Sequence, residues 1–227
     1  MAAPGNRERL LAHLLLYGAG GALLYFVGRE VLGAVFVTPR SRPLTLPSTK
    51  QGFVLSVLNA TSSVWPRWPL EAKLLVIAQA ALESGWGKTA QAQQGNNILN
   101  LAAGTVEQPA PPSVWGGPVM IGGDKEHSAS GQVKSIRQRW RVYPSLEAGL
   151  QDYWKLLGLK HYQPAQEQLA RGDIGFLQTI GPPPAGCPNT RGCYYTLPTA
   201  KYVARITPIL EQVRALVPAS SGGPRVA

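Results

Sequence analysis

A helical pattern of apolar residues between Pro69 and Ser84 constrains the fold of this chain more than any other feature. Its apolar residues recur every three to four positions, as they do on the buried face of an α-helix: Leu74, Ala78, Ala81 and Leu82. Gly85 follows the last periodic residue and is a natural C-terminal cap, because glycine adopts the left-handed conformation without steric cost. The pattern therefore predicts a helix with a sharply defined end.

Glu83 lies in the last turn of this predicted helix. The negative end of the helix dipole disfavours a carboxylate at that point, and partial burial acts in the same direction. Both effects raise the pKa of a carboxyl group, which suits a proton donor. An exposed glutamate at a helix end is the alternative interpretation, and this feature taken alone favours it.

Other periodic segments predict two further helices and a β-hairpin. Residues 51–60 predict a helix, and Ser145 is placed to cap another. That last helix carries a single apolar stripe: Leu146, Leu150, Tyr153, Trp154 and Leu157. Residues 133–142 alternate as a strand does, and residues 119–121 could pair with them as a hairpin. The strand pattern places its three arginines on one face: Arg137, Arg139 and Arg141.

The N-terminal residues 1–37 predict a membrane anchor helix. Residues 10–27 are almost wholly apolar, and a helix of that length spans about 27 Å, close to the ~30 Å hydrocarbon core of a bilayer. A cleavable signal peptide and a bundle of helices from several copies are the alternatives. A proline-rich linker over residues 38–50 and a flexible tail over residues 218–227 would flank a central domain, residues 51–217.

A net charge of +10 indicates either an anionic partner surface, such as nucleic acid, acidic lipid or an acidic wall polymer, or a basic surface that only keeps the protein soluble. No nucleic-acid module pattern is present, so nucleic acid is the least favoured of these partners. Cys187 and Cys193 enclose a short Gly- and Pro-containing segment and are a disulfide candidate, with two unrelated thiols as the alternative. Two cysteines without paired histidines do not predict a zinc site.

Four segments, in the same order and at the same spacing, resemble the glucosaminidase family. The first is residues 78–88, which contain Leu-Glu-Ser-Gly-Trp-Gly; the others are residues 96–101, 140–153 and 201–206. The resemblance covers about residues 50–215. It implies a lysozyme-like fold, mainly α with a small β-hairpin lobe across a cleft, and it makes Glu83 the expected catalytic acid.

The same resemblance implies a second carboxylate in the β-lobe, because glycoside hydrolysis usually needs two. Glu126 fits that position best, and Asp124 is the alternative. Both lie in residues 122–128, whose two glycines and one serine predict a flexible loop that could close over the substrate. The sequence therefore predicts the acid more firmly than its partner.

Four other residues complete the predicted site. Tyr202 resembles a family tyrosine near the catalytic glutamate and could position the sugar or the attacking water, with helix packing as the alternative. Trp86 and Asn97 belong to the motif and are expected on the substrate cleft as its structural supports. Trp115, in a Gly- and Pro-rich segment, could stack on a sugar ring, although aromatic residues usually lie in the core.

The function expected from the resemblance is hydrolysis of the β-1,4 bond after N-acetylglucosamine in peptidoglycan, without a cofactor or metal. The catalytic domain would then face the periplasm or cell wall, on a membrane-anchored chain or in a phage virion. A phage lysin, a virion-borne enzyme and a bacterial remodelling enzyme all fit, with a homo-oligomer or phage structural proteins as further partners. Lytic transglycosylation by Glu83 alone and an inactive wall-binding component are the alternatives.

Overall fold

The computed structural model describes residues 46–127, 133–181, 194 and 198–218, and it describes no side chains for residues 125–127, 133 and 134. All of these residues belong to one compact unit, residues 41–227. The predicted anchor, the candidate disulfide Cys187–Cys193 and most of the linker and tail lie outside the described residues. Within the described part, no helix has the length and apolar character needed to cross a bilayer.

Helices make up most of the described structure, and the expectation of a mainly α fold with a small antiparallel sheet is confirmed. The elements are α1 Lys50–Val64, α2 Leu70–Ser84, α3 Ala90–Gly95, β1 Ala102–Thr105, β2 Val119–His127, β3 Val133–Arg141, α4 Leu146–Leu157, α5 Gln163–Ala170, α6 Phe176–Thr179 and α7 Thr199–Leu216.

Helix α2 is the central helix of the domain. It packs against α1, α5 and α7, and every residue from Ala72 to Ala81 is buried, so the helix is enclosed on nearly all sides. It ends where the sequence predicts: Gly85 is left-handed, with φ 57° and ψ 46°, and its N–H donates to the carbonyl of Ala81. Its burial fixes both the axis of the helix and the position of its last turn.

Local capping chemistry likewise sets the start of α4. The hydroxyl of Ser145 accepts a hydrogen bond from the backbone N–H of Ala148 at 3.3 Å. The predicted stripe is confirmed as the inner face of this helix, where Tyr153 and Leu150 are fully buried. Trp154 is only half-buried and contacts Trp65 and Trp68 at the edge of the core.

The sheet is antiparallel with strand order β1–β3–β2. The prediction of a flexible loop over residues 122–128 is wrong for residues 122–127: β2 continues to His127 and pairs with β3 without a break from Val119↔Arg141 to His127↔Val133. Two glycines weaken this strand locally, yet the long hydrogen-bonded register with β3 stabilises it. Strand β1 was not predicted, because its four small residues gain stability only from pairing with β3.

One end of β3 is fastened to α4 by a buried ion pair. Arg141 Nη1 donates to Asp152 Oδ2 at 2.6 Å, and Tyr143 donates to the same oxygen at 2.7 Å. The Arg141 Nε also donates to the carbonyl of Ala102 in β1. Arg141 is 7% exposed, so the predicted basic face of β3 is wrong at this residue and keeps only Arg137 and Arg139.

Candidate active site

The turn after Glu83 fixes the end of α2 by three consecutive left-handed residues. Gly85, Trp86 and Gly87 have φ values of 57°, 62° and 77°. Ser84 stabilises the turn, because its hydroxyl donates to the carbonyl of Ala80 at 2.6 Å and accepts from the N–H of Gly87 at 2.8 Å. The Leu-Glu-Ser-Gly-Trp-Gly motif therefore encodes a rigid stop that holds Glu83 in the last helical turn.

Trp86, predicted as a support of the cleft, packs onto α1. Its ring meets Phe53 edge to face at 6.2 Å between centroids, and Lys50 Nζ lies 4.5 Å from the centre of the ring. Gly87 leaves no room beside this contact, since a Cβ there would lie 2.7 Å from Phe53 Cδ2. The turn is therefore packed tightly against α1.

Asn97 connects the segment after α3 with β3. Its amide nitrogen donates to the carbonyls of Leu101 and Arg141, both at 2.9 Å, and its oxygen accepts from the N–H of Leu101 at 2.8 Å. The residue is 1% exposed. Asn97 therefore ties the segment after α3 to β3 through backbone hydrogen bonds, and its place at a substrate cleft stays a prediction.

The carboxyl group of Glu83 is held by Tyr202, which α7 brings to the end of α2. The Tyr202 hydroxyl donates to Glu83 Oε1 at 2.6 Å across 119 residues of sequence. Asn100 Nδ2 donates to the backbone carbonyl of Glu83 at 2.6 Å. The predicted acid and the predicted tyrosine are therefore in direct contact.

Burial raises the pKa of Glu83 above that of an ordinary glutamate, and burial is the largest effect. The hydrogen bond from Tyr202, the nearby amide of Asn100 and the positive charge of Arg205 lower this pKa, while the negative charge of Asp124 raises it. The net result is a carboxyl group that keeps its proton to higher pH than a solvated glutamate, which a general acid requires.

Two residues behind Tyr202 were predicted only as helix or core residues. Gln79 Nε2 donates to the Tyr202 hydroxyl at 3.4 Å, and the Tyr153 hydroxyl donates to Gln79 Oε1 at 2.6 Å. Burial raises the pKa of both tyrosine hydroxyls, so both keep their protons at neutral pH. The one available signal was the spacing of Gln79, a polar residue one helical turn before Glu83 in an apolar helix.

The two candidates for the second carboxylate lie on β2. Asp124 pairs with Ile136 and Glu126 with Lys134 in the strand register. The side chain of Glu126 lies outside the described part of the structure, whereas Asp124 is exposed and its charge acts on Glu83. Positions 124 and 126 are two apart and belong to the same face of the strand.

Trp115 contacts residues next to the start of β2 and at the end of β3. Its indole N–H donates to the carbonyl of Pro118 at 3.2 Å, its ring meets Tyr143 edge to face at 5.3 Å, and the Arg141 guanidinium lies 5.2 Å from the ring centre. The residue is half-buried. Its predicted stacking on a sugar stays a prediction.

Among the described residues, no group of three His, Cys, Asp or Glu side chains is arranged to hold a metal ion.

A family model described as glucosaminidase, mannosyl-glycoprotein endo-beta-N-acetylglucosaminidase, matches residues 62–214. This chain belongs to the glucosaminidase family. The match takes in α2 with Glu83, the sheet, and α7 with Tyr202, so the whole arrangement around Glu83 lies within the family domain. The resemblance drawn from the four sequence segments is confirmed.

Relatives of this glucosaminidase domain are bacterial peptidoglycan hydrolases. The peptidoglycan hydrolase FlgJ of Pseudomonas aeruginosa is 27% identical over 190 residues, which cover 82% of this chain and 42% of that protein. FlgJ of Escherichia coli K12 is 32% identical over 124 residues, covering 52% and 36%. The chain thus spans less than half the length of these curated relatives. A crystal structure of a peptidoglycan hydrolase mutant from Sphingomonas sp. A1 has a TM-score of 0.52 at 26% identity, covering 73% and 97%.

Proposed function

We propose that this glucosaminidase hydrolyses the β-1,4 bond after N-acetylglucosamine in peptidoglycan glycan strands, with Glu83 as the general acid. The observation that carries the proposal is the environment of the Glu83 carboxyl: burial raises its pKa, and the Tyr202 hydroxyl donates to it at 2.6 Å. The relatives named as peptidoglycan hydrolases support the choice of substrate.

In the proposed reaction, Glu83 gives its proton to the glycosidic oxygen as the bond to the anomeric carbon breaks. The carboxylate that remains is stabilised by the Tyr202 hydroxyl and by the positive charge of Arg205. A second carboxylate activates the water or stabilises the positive charge on the sugar. Glu126 is proposed for this role, with Asp124 as the alternative.

Product analysis tests the proposal. Purified sacculi are digested with the full chain, and the released fragments are weighed by mass spectrometry. Hydrolysis adds one water and leaves reducing N-acetylglucosamine ends. Anhydro products would instead show lytic transglycosylation, reducing N-acetylmuramic acid ends would show cleavage of the other bond, and intact sacculi would leave a wall-binding role.

The two β2 carboxylates are separated by matched variants. We expect Glu126→Gln to lower the rate of sacculus lysis about a hundredfold, because a general base or charge stabiliser contributes on that order. Asp124→Asn should retain activity but move the alkaline limb of the pH–rate profile to lower pH, because the negative charge that raises the pKa of Glu83 is lost. A large loss in Asp124→Asn alone would assign the second role to Asp124.

The setting of the enzyme is also a proposal. The apolar N-terminal segment supports a chain held at a membrane with its catalytic domain in the periplasm or cell wall, and the wall substrate requires that side. A phage lysin or virion-associated enzyme is proposed first, and the bacterial relatives support a bacterial remodelling enzyme as well. Fractionation of cells producing the full chain, before and after carbonate extraction, tests the anchor.

A further inference from the structure

A chain of buried hydrogen bonds leads from the carboxyl of Glu83 into the centre of the helical core. Tyr202 donates to Glu83 at 2.6 Å, Gln79 donates to Tyr202 at 3.4 Å, and Tyr153 donates to Gln79 at 2.6 Å. Its three inner members are at most 2% exposed: Gln79, Tyr153 and Tyr202. Of the members of this chain, the proposed reaction uses only Glu83 and Tyr202, so Gln79 and Tyr153 are buried polar groups without an assigned role.

The chemistry of each group gives the chain a direction. The carbonyl end of an amide only accepts and its NH₂ end only donates, so the hydrogen bond from Tyr153 to Gln79 Oε1 turns Nε2 towards Tyr202. The Tyr202 oxygen accepts that bond and directs its own proton at Glu83. All three donors therefore point towards the carboxyl, and their dipoles add at the place where negative charge appears after proton transfer.

We propose that Gln79 and Tyr153 are positioning residues of the site. They act through Tyr202: they keep its hydroxyl proton directed at the Glu83 carboxyl, and they stabilise the carboxylate that proton transfer leaves. Aligned hydrogen bonds polarise one another, and bonds that end on a charge are stronger than neutral ones. The inference rests on the proposed function only for the role of Glu83 as the acid. The hydrogen-bonded arrangement itself is independent of the substrate.

The pKa of Glu83 is a direct measure of the strength of this chain of hydrogen bonds. Hydrogen bonding by Tyr202 lowers this pKa, so weakening Tyr202 as a donor should raise it. We expect Gln79→Leu to raise it by about 0.5 unit or more and Tyr153→Phe by a smaller amount, since each removes one aligned dipole. The double variant should match Gln79→Leu alone, because Tyr153 acts only through Gln79.

The experiment is a pH titration of the full chain with ¹³C-labelled glutamate carboxyls, followed by NMR, with the Glu83 signal assigned by its loss in Glu83→Gln. Tyr143→Phe is the matched control: its hydroxyl is also buried but donates to Asp152, and it should leave the Glu83 titration unchanged. A merely structural role for Tyr153 predicts no shift, because phenylalanine keeps the ring.

Two results would overturn the proposal: a Tyr153→Phe titration that coincides with wild type, or a double variant whose shift is the sum of the single ones. If Gln79→Leu does not fold, the nearly isosteric Tyr153→Phe decides the question by itself. The alkaline limb of sacculus lysis should move with the pKa. Sacculi left intact by the wild-type chain would contradict the proposed function, while the titration would still test the chain of hydrogen bonds.

Discussion

Glu83→Gln is expected to reduce sacculus lysis by about 10²–10⁴-fold, the contribution of a positioned general acid. Glutamine keeps the size and the hydrogen bond from Tyr202 but has no proton to give to the glycosidic oxygen. The measurement is the initial rate of lysis of dye-labelled sacculi at the pH optimum. Glu167→Gln is the matched control, since Glu167 is an exposed glutamate of α5, and it should lyse sacculi at the wild-type rate.

The same variant should be more stable than wild type at neutral pH. Burial raises the folded-state pKa of Glu83, so the wild-type protein loses stability as the pH rises from the unfolded-state value, about 4.3, through the folded-state value. Glutamine carries no charge and escapes this loss. Thermal melts should therefore show a higher Tm for the variant at pH 7 and matching Tm values near pH 3. An active Glu83→Gln, or one that is less stable at neutral pH, contradicts the assignment of a partly buried acid with a raised pKa.

Gly87→Ala has the largest expected effect on stability. The residue needs φ of 77°, and a Cβ would lie 2.7 Å from the fully buried Phe53 ring, which packs against Trp86 and cannot move away. Left-handed strain and overpacking together cost about 2–4 kcal/mol. At this domain size, that lowers the Tm by about 4–16 °C.

Gly85→Ala is the matched control for this prediction. It has a similar φ of 57°, but a Cβ there would meet nothing within 4 Å. Only the left-handed strain of about 1 kcal/mol applies, so its Tm should fall by about 2–4 °C. Equal melting temperatures for the two variants would mean that the turn does not press on α1.

Local chemistry made several parts of the fold predictable from the sequence. Gly85 and Ser145 end and begin helices through contacts with residues at most four positions away, so their effects can be read from neighbouring letters. The position of Glu83 in the last turn of α2 follows from the same local signals. These local signals did not indicate a catalytic role for Glu83. Only the resemblance of four ordered segments to the glucosaminidase family did so.

Features made by distant contacts were missed or misassigned. Gln79 has the sequence signature of a helix residue and Tyr153 that of a core residue, and their common purpose depends on contacts across 74 and 123 positions. The continuation of β2 through Gly122 and Gly123 depends on pairing with β3, which overrides the local preference of glycine for turns. Arg141 follows the alternation of a solvent-facing strand residue, but Asp152 on α4 supplies the charge that allows its burial.

The distribution of the chain of hydrogen bonds over α2, α4 and α7 has a consequence for synthesis. Gln79 and Glu83 leave the ribosome early, whereas Tyr202 belongs to α7, the last helix that the structure describes, and follows more than a hundred residues later. Until α7 docks on α2, the carboxyl of Glu83 lacks both its hydrogen-bond donor and part of the cover that excludes water. A nascent or truncated chain that stops before residue 199 therefore carries the family motif without the hydrogen-bond donor to Glu83, and we expect the proposed activity only from chains that include α7.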